Sequence, residues 1–163
     1  MNIVEKIKFL LTHYEKKEYY SNGQIKTQKW FNKNGKEDGE CKEWHNNSQL
    51  SEHCFFKDEE LEGEYKNWHP NGQLYVHCFF KNGKREGECK WWHENGQLET
   101  VCFFKDGEPE GEYKNWHENG KLQVHCFFKN GKREGEYKDW YSSGQLETVC
   151  FYKNGKLKET NSE

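Results

Sequence analysis

The chain has 163 residues, of which 32% are apolar, 33% charged and 17% aromatic, and its formal net charge is −3. So lean an apolar share cannot fill a thick two-layer core, and the aromatic residues must supply most of the burial. Lysine and glutamate interleave without a basic block, which excludes the electrostatic footprint of a nucleic-acid binder, and no stretch is apolar for long enough to span a bilayer as a helix.

The first segment, MNIVEKIKFLLTHYEKK, mixes charges throughout and has no small-residue cleavage site, which reads against a secretory signal. Ile3, Ile7, Leu10, Leu11 and Tyr14 fall on one stripe, so the spacing predicts an amphipathic helix over residues 1–18 that caps the rest of the chain. Seven cysteines without an export signal point to reduced thiols and a cytoplasmic setting.

Residues 19–158 read as a repeat array. A degraded copy starts at about Tyr19 and carries one extra residue between Asn22-Gly23 and Trp30, which suggests a β-bulge. Five full copies of a 24-residue unit then start at Gly39, Gly63, Gly87, Gly111 and Gly135. Cys54, Cys78, Cys102, Cys126 and Cys150 keep the same step. The second and fourth copies share one wording and the third and fifth another, so a 48-residue pair was duplicated after the unit arose. A fixed period of this size marks units that pack on their neighbours and work through a long surface. Residues 159–163 read as a disordered tail.

Each copy carries two turn signals. One is Asn71-Gly72, Asn95-Gly96, Asn119-Gly120 or Ser143-Gly144; the other is Asn82-Gly83, Asp106-Gly107, Asn130-Gly131 or Asn154-Gly155. Such pairs favour two-residue type I′ hairpin turns, and the runs between them, rich in Tyr, Trp, Phe and Val, read as strands. The expected fold is all-β: an elongated single antiparallel sheet of eleven or twelve strands with a short N-terminal capping helix. Two-residue turns place Tyr65 opposite Cys78, Val76 opposite Cys89, Cys78 opposite Gly87, Cys41 opposite Cys54 and Cys89 opposite Cys102. By alternation, one face carries Tyr65, Asn67, His69, Leu74, Val76, Cys78 and Phe80, and the other Glu64, Lys66, Trp68, Tyr75, His77 and Phe79. The first is expected to close by curvature and, at one end, on the helix. The second is expected to stay partly open.

Little in this pattern reads as chemistry. Repeat cysteines two strands apart lie roughly 10 Å from one another, too far for a disulfide or a shared metal, so each thiol is expected to be a small buried apolar residue. His45, His69, His93 and His117 fall on the face opposite to His53, His77 and His125, so no three of them converge. Glu64, Glu88, Glu112 and Glu136 recur at the repeat step, whereas an active site needs one asymmetric constellation. No catalysis, metal or cofactor is expected. The candidate binding surface is Trp44, Trp68, Trp92, Trp116 and Trp140 with Phe79, Phe103 and Phe127, since large aromatics dominate binding hot spots. The competing reading is that the tryptophans only cover backbone and lysine stems.

GEYKNWHENGKL followed by FFKNGKREGEY resembles the bacterial variant of the MORN repeat, in which W-x-x-x-NG-x-L leads through a strand to NGK-x-x-G-x-[WY]. The likeness covers about residues 19–158; Ser48 and Glu59 depart from it by replacing turn glycines. The resemblance implies hairpin repeats in an elongated sheet, no enzyme activity, and either an antitoxin-type role or a scaffold for proteins or lipids. The first expectation is therefore a protein-binding module that masks a partner such as a toxin. A structural or lipid-surface scaffold is the alternative, and carbohydrate or cell-wall binding, suggested by a weaker likeness to wall-binding repeats, is third.

Overall fold

A computed structural model describes residues 2–158. They form one open antiparallel sheet of sixteen strands behind a single short helix, with 63% of the chain in strands. The helix α1 (Ile3–Thr12) leads into β1 (His13–Tyr19), β2 (Ile25–Asn32), β3 (Glu37–Trp44) and β4 (Leu50–Lys57), and the hairpins repeat from there to Lys156–Lys158. Strand order follows chain order, as in a meander. The count exceeds eleven or twelve because bulges split off the two-residue strands Glu60–Leu61, Lys84–Arg85 and Lys132–Arg133, and because β1 lies where helix was expected.

The helix opens on a capping box: Glu5 N–H donates to Asn2 Oδ1 at 2.9 Å, and Asn2 N–H donates to the Glu5 carboxylate at 2.8 Å. It stops at Thr12, whose hydroxyl donates back to the Lys8 and Phe9 carbonyls while His13 turns extended at φ −130°. The helix expected over residues 1–18 is thus shorter, and the array begins at His13, which pairs with Asn32. The charged run from Glu15 to Glu18 suits an edge strand, whose open side faces water. The tail expected at 159–163 lies outside the described residues.

Only one of the two turns is the expected type. At the second, Asn82 (φ 49°) and Gly83 (φ 71°) both have positive φ and form a two-residue type I′ turn. At the first, Gly72 N–H donates to the His69 carbonyl at 2.8 Å, His69 N–H donates to the Gln73 carbonyl at 2.9 Å, and Gly72 alone has positive φ. This is a three-residue loop, a type I turn closed by a glycine bulge. In the first full copy Ser48 (φ 68°) and Glu59 (φ 75°) hold the same left-handed positions without glycine.

Inside each hairpin the register is the expected one over the strand centres, where Tyr65 faces Cys78, Cys41 faces Cys54 and Cys89 faces Cys102. At the loop end a bulge after Asn67 sets Trp68 opposite Leu74, which a two-residue turn at Asn71-Gly72 would have paired with His69. Between hairpins it differs by two residues, with Val76 opposite Trp91 rather than Cys89. The turn register holds as far as Phe80 and Arg85. Glu86 and Gly87 then bulge out, Glu86 N–H returning to the Phe79 carbonyl at 2.8 Å and Gly87 taking φ 82°. A shift of two leaves every side chain on its face, but it brings Cys78 beside Cys89 instead of Gly87.

The core is a row of seven buried cysteines on one face, joined by Val76. Half-buried aromatics flank it edge to face: Tyr65 and Phe80 at 5.6 Å, Tyr113 and Phe128 at 5.8 Å. Small thiols fill the strip between these rings, where a larger side chain would push the rings apart. Burial pushes the Cys126 thiol up to about 11 and, with the neighbouring Cys89 and Cys126, the Cys102 thiol up to about 12.

Two ladders tie each copy to the next. Along one rim His45, His69, His93 and His117 place Nε2 at 2.8–3.0 Å from the carbonyls of Trp68, Trp92, Trp116 and Trp140. Beside them Asn47, Asn71, Asn95 and Asn119 donate from Nδ2 to the loop carbonyls of the next copy. Along the other rim the carboxylates of Glu62, Glu86, Glu110 and Glu134 accept from the backbone N–H of Asn82, Asp106, Asn130 and Asn154. His45, His69, His93 and His117, with the asparagines beside them, are therefore structural rungs.

The helix does not cap the cysteine face. Phe9 packs against Trp30 and over Gly39, and with Leu10, Glu40 and Phe55 these residues line one pocket. Glu40 and Phe55 pair on the face opposite to Cys41 and Cys54. Phe9 makes the seal, its ring stacked on His13 at 3.9 Å and tilted against Trp30 at 5.2 Å. Phe9 projects away from the apolar stripe, so Ile3, Ile7, Leu10 and Leu11 stay exposed.

Candidate functional site

On the face that bears Phe9, strand alternation and the 24-residue step place Phe55, Phe79, Phe103, Phe127 and Phe151 in one row. They are 36%, 44%, 49%, 40% and 50% exposed, values that set them apart from every core aromatic. Phe55 and Phe151 extend the row expected from the sequence at both ends. Ion pairs border it: Glu40–Lys42, Glu64–Lys66, Glu112–Lys114 and Glu136–Lys138 at 2.7–2.8 Å, and Glu88–Lys90. His53, His77 and His125 complete three of these groups at 2.9–3.0 Å from Glu40, Glu64 and Glu112. The Lys66 and Lys114 ammonium groups, with the histidines, hold Glu64 and Glu112 below the usual carboxylate range.

Beside the row, the repeat glycines leave notches. A Cβ on Gly63, Gly87, Gly111 or Gly135 would meet nothing within 4 Å, whereas one on Gly39 would lie 2.8 Å from the Phe9 ring. The first notch is filled by the chain's own helix and the later ones are open.

The tryptophans stand apart from this row. Trp44, Trp68, Trp92, Trp116 and Trp140 are half-buried, at the loop ends of their strands. A bulge after Asn67 sets Trp68 opposite Leu74, while Phe79 pairs with Glu64, four residues back along the same strand. That separates the two rows by about 13 Å along the strand direction. The structure does not bring the Trp and Phe candidates into one patch.

Sequence reasoning missed one cluster on the cysteine face. The Cys41 and Cys54 thiols and the Glu52 carboxylate have donor atoms all within 4.8 Å of one another, the single such cluster among the described residues. Cys54 Sγ lies 3.5 Å from Glu52 Oε1, and the Tyr65 hydroxyl donates to Glu52 Oε2 at 2.7 Å. A hydrogen bond with Cys41 and then burial raise the Cys54 thiol far above its ordinary value. A signal was available: at the position of Glu52 the later copies carry Val76, Thr100, Val124 and Thr148.

An open single sheet whose hairpins link copy to copy, with repeated surfaces in place of one pocket, defines the molecule as a β-hairpin repeat array. The family model for the MORN repeat variant matches six times, at residues 13–29, 37–58, 61–82, 85–106, 109–130 and 133–154. The chain belongs to that family, a non-enzymatic repeat module that generally binds proteins or lipids. The first match begins at His13, in accord with the position of β1. No curated protein matches the chain.

Proposed function

We propose that the protein is a non-catalytic protein-binding module whose partner lies along the phenylalanine row, masking that partner as an antitoxin masks a toxin. The observation that carries the reading is the evenly repeated row from Phe55 to Phe151, exposed on one face and bordered by Glu–Lys pairs. Apolar surface of this regularity outside a core marks an interaction site, and a polar rim around an aromatic centre is the usual anatomy of one. The half-buried tryptophans would act at the margin or through folding. The buried thiols suit a reducing compartment such as the cytoplasm. Affinity capture from the native cell, with Phe103→Ala as the comparison, tests the proposal. A partner that loses about 2 kcal/mol of affinity with Phe103→Ala supports it. A partner indifferent to Phe79→Ala, Phe103→Ala and Phe127→Ala refutes it.

One observation favours a lipid surface as the second reading. Ile3, Val4, Ile7, Leu10 and Leu11 are 51–79% exposed on α1, next to Lys6 and Lys8. A helix of this kind can lie in a membrane interface, although a net charge of −3 attracts anionic lipids little. Co-sedimentation with vesicles that is abolished by Ile7→Glu would favour it.

A further inference from the structure

We propose that Cys41, Cys54 and Glu52 form a binding site for a zinc-like divalent metal ion, which would staple β3 to β4 at the helix end of the array. The donor set is the first ground. Two thiols and a carboxylate suit zinc and cobalt and suit neither calcium nor magnesium. The geometry is the second. Zinc bonds of about 2.3 Å to sulfur and about 2.0 Å to oxygen, at the tetrahedral angle, set an S···O edge of about 3.5 Å. Cys54 Sγ and Glu52 Oε1 already stand 3.5 Å apart, and the Cys41 thiol lies in the same 4.8 Å cluster.

The surroundings fit as well. Tyr65 O–H donates to the other oxygen of Glu52 and so fixes the carboxylate, the role an outer-shell partner plays at metal centres. Binding would release both thiol protons. Two thiolates, one carboxylate and a divalent ion sum to one negative charge, and Lys29, directly opposite Cys41, faces it. Lys29 also pairs with Glu37 at 3.2 Å and Glu43 at 3.4 Å. Both thiols are buried, whereas Glu52 is half-exposed and leaves a way in and a fourth position for solvent. The molecule carries its own control. The pair Cys89 and Cys102 has the same register, with Thr100 where Glu52 stands. Cys78 adjoins Cys89 from the other side, but among the described residues these thiols do not converge within 4.8 Å as Cys41, Glu52 and Cys54 do.

The test is a cobalt(II) titration of the reduced full-length protein under a phosphine reductant, followed by competition with zinc. The expected result is one equivalent of cobalt showing thiolate-to-metal charge transfer in the near ultraviolet and tetrahedral d–d bands in the visible, displaced by zinc. Cys54→Ser and Glu52→Gln should abolish or weaken the spectrum by tenfold or more in affinity. Tyr65→Phe should weaken binding roughly 10–100-fold, and Cys89→Ser should leave it unchanged. Far-UV circular dichroism of each variant must show the strand signal, and Glu52→Gln serves if Cys54→Ser does not fold. Absence of the charge-transfer band, a band that survives Glu52→Gln at full affinity, or one lost equally with Cys89→Ser would overturn the proposal.

Discussion

Gly39 is the repeat glycine against which α1 is anchored, so it gives a direct measure of how firmly the helix is held. Alanine at any of the positive-φ glycines Gly39, Gly63, Gly87, Gly111 or Gly135 costs roughly 1–2 kcal/mol in backbone strain. At Gly87 nothing is added, because the notch is empty; at Gly39 the new Cβ would sit 2.8 Å from Phe9 Cζ and 3.0 Å from Trp30 Cβ. Backbone holds the Trp30 Cβ, so the Phe9 ring must leave. It forfeits aromatic contacts with His13 and Trp30 worth about 0.5–1.5 kcal/mol and part of its burial, about 1 kcal/mol more. Gly39→Ala should therefore cost about 2.5–4.5 kcal/mol against about 1–2 for Gly87→Ala. In a Phe9→Ala background the excess should shrink, with a coupling of about 1.5–2.5 kcal/mol, while strain and the Trp30 contact cancel from the cycle. Urea unfolding followed by tryptophan fluorescence gives the energies, and far-UV circular dichroism reports the helix. If Gly39→Ala and Phe9→Ala add within about 0.5 kcal/mol, or if Gly39→Ala costs no more than Gly87→Ala, Phe9 does not anchor the helix.

Three further outcomes are expected. Glu59→Gly should stabilise the first full copy by about 1 kcal/mol by relieving a left-handed non-glycine residue, since the exposed pair with Lys36 at 3.5 Å contributes little; thermal unfolding would show it, and a lower midpoint would refute it. Glu64 and Glu112 have depressed pKa values in the fold, so their contribution is complete above the ordinary value of 4.5 and is lost as pH falls below it. The unfolding midpoint should drop on acidification below that value and change less in a Glu64→Gln, Glu112→Gln double variant. Because Cys102 and Cys126 are pushed up to about 12 and about 11 and are buried, alkylation at pH 8 should be slow in the fold and fast in urea; equal rates in both would contradict the packing.

The sheet and its two faces were legible because the 24-residue step and the Asn-Gly turns state them in every copy. The register between hairpins was not, since Glu86-Gly87 reads as ordinary strand and only the structure shows it as a two-residue bulge. A two-residue error is invisible to a test based on alternating faces. The mode of helix docking was hidden for a different reason. Amphipathic spacing draws attention to Ile3, Ile7 and Leu11, yet the contact is made by Phe9 from the opposite side. The phenylalanine row was legible from spacing and aromaticity, and its separation from the tryptophans follows from the pairing of Phe79 with Glu64, four residues from Trp68, which a test of faces alone does not register. The Cys41–Glu52–Cys54 cluster could have been found by asking where a copy breaks its own rule.

The rungs along both rims join chemically equivalent atoms one copy apart, and this makes length a free variable. Removing residues 64–87 would join Gly63 to Glu88 within the same local wording, and His45 would meet the Trp92 carbonyl where it now meets that of Trp68. Every remaining rung would be replaced in kind, and the array would be shorter by about 10 Å. A chain built of near-identical segments can thus lengthen or shorten by whole units while both rims keep their rungs, so that the length of the sheet is set by copy number.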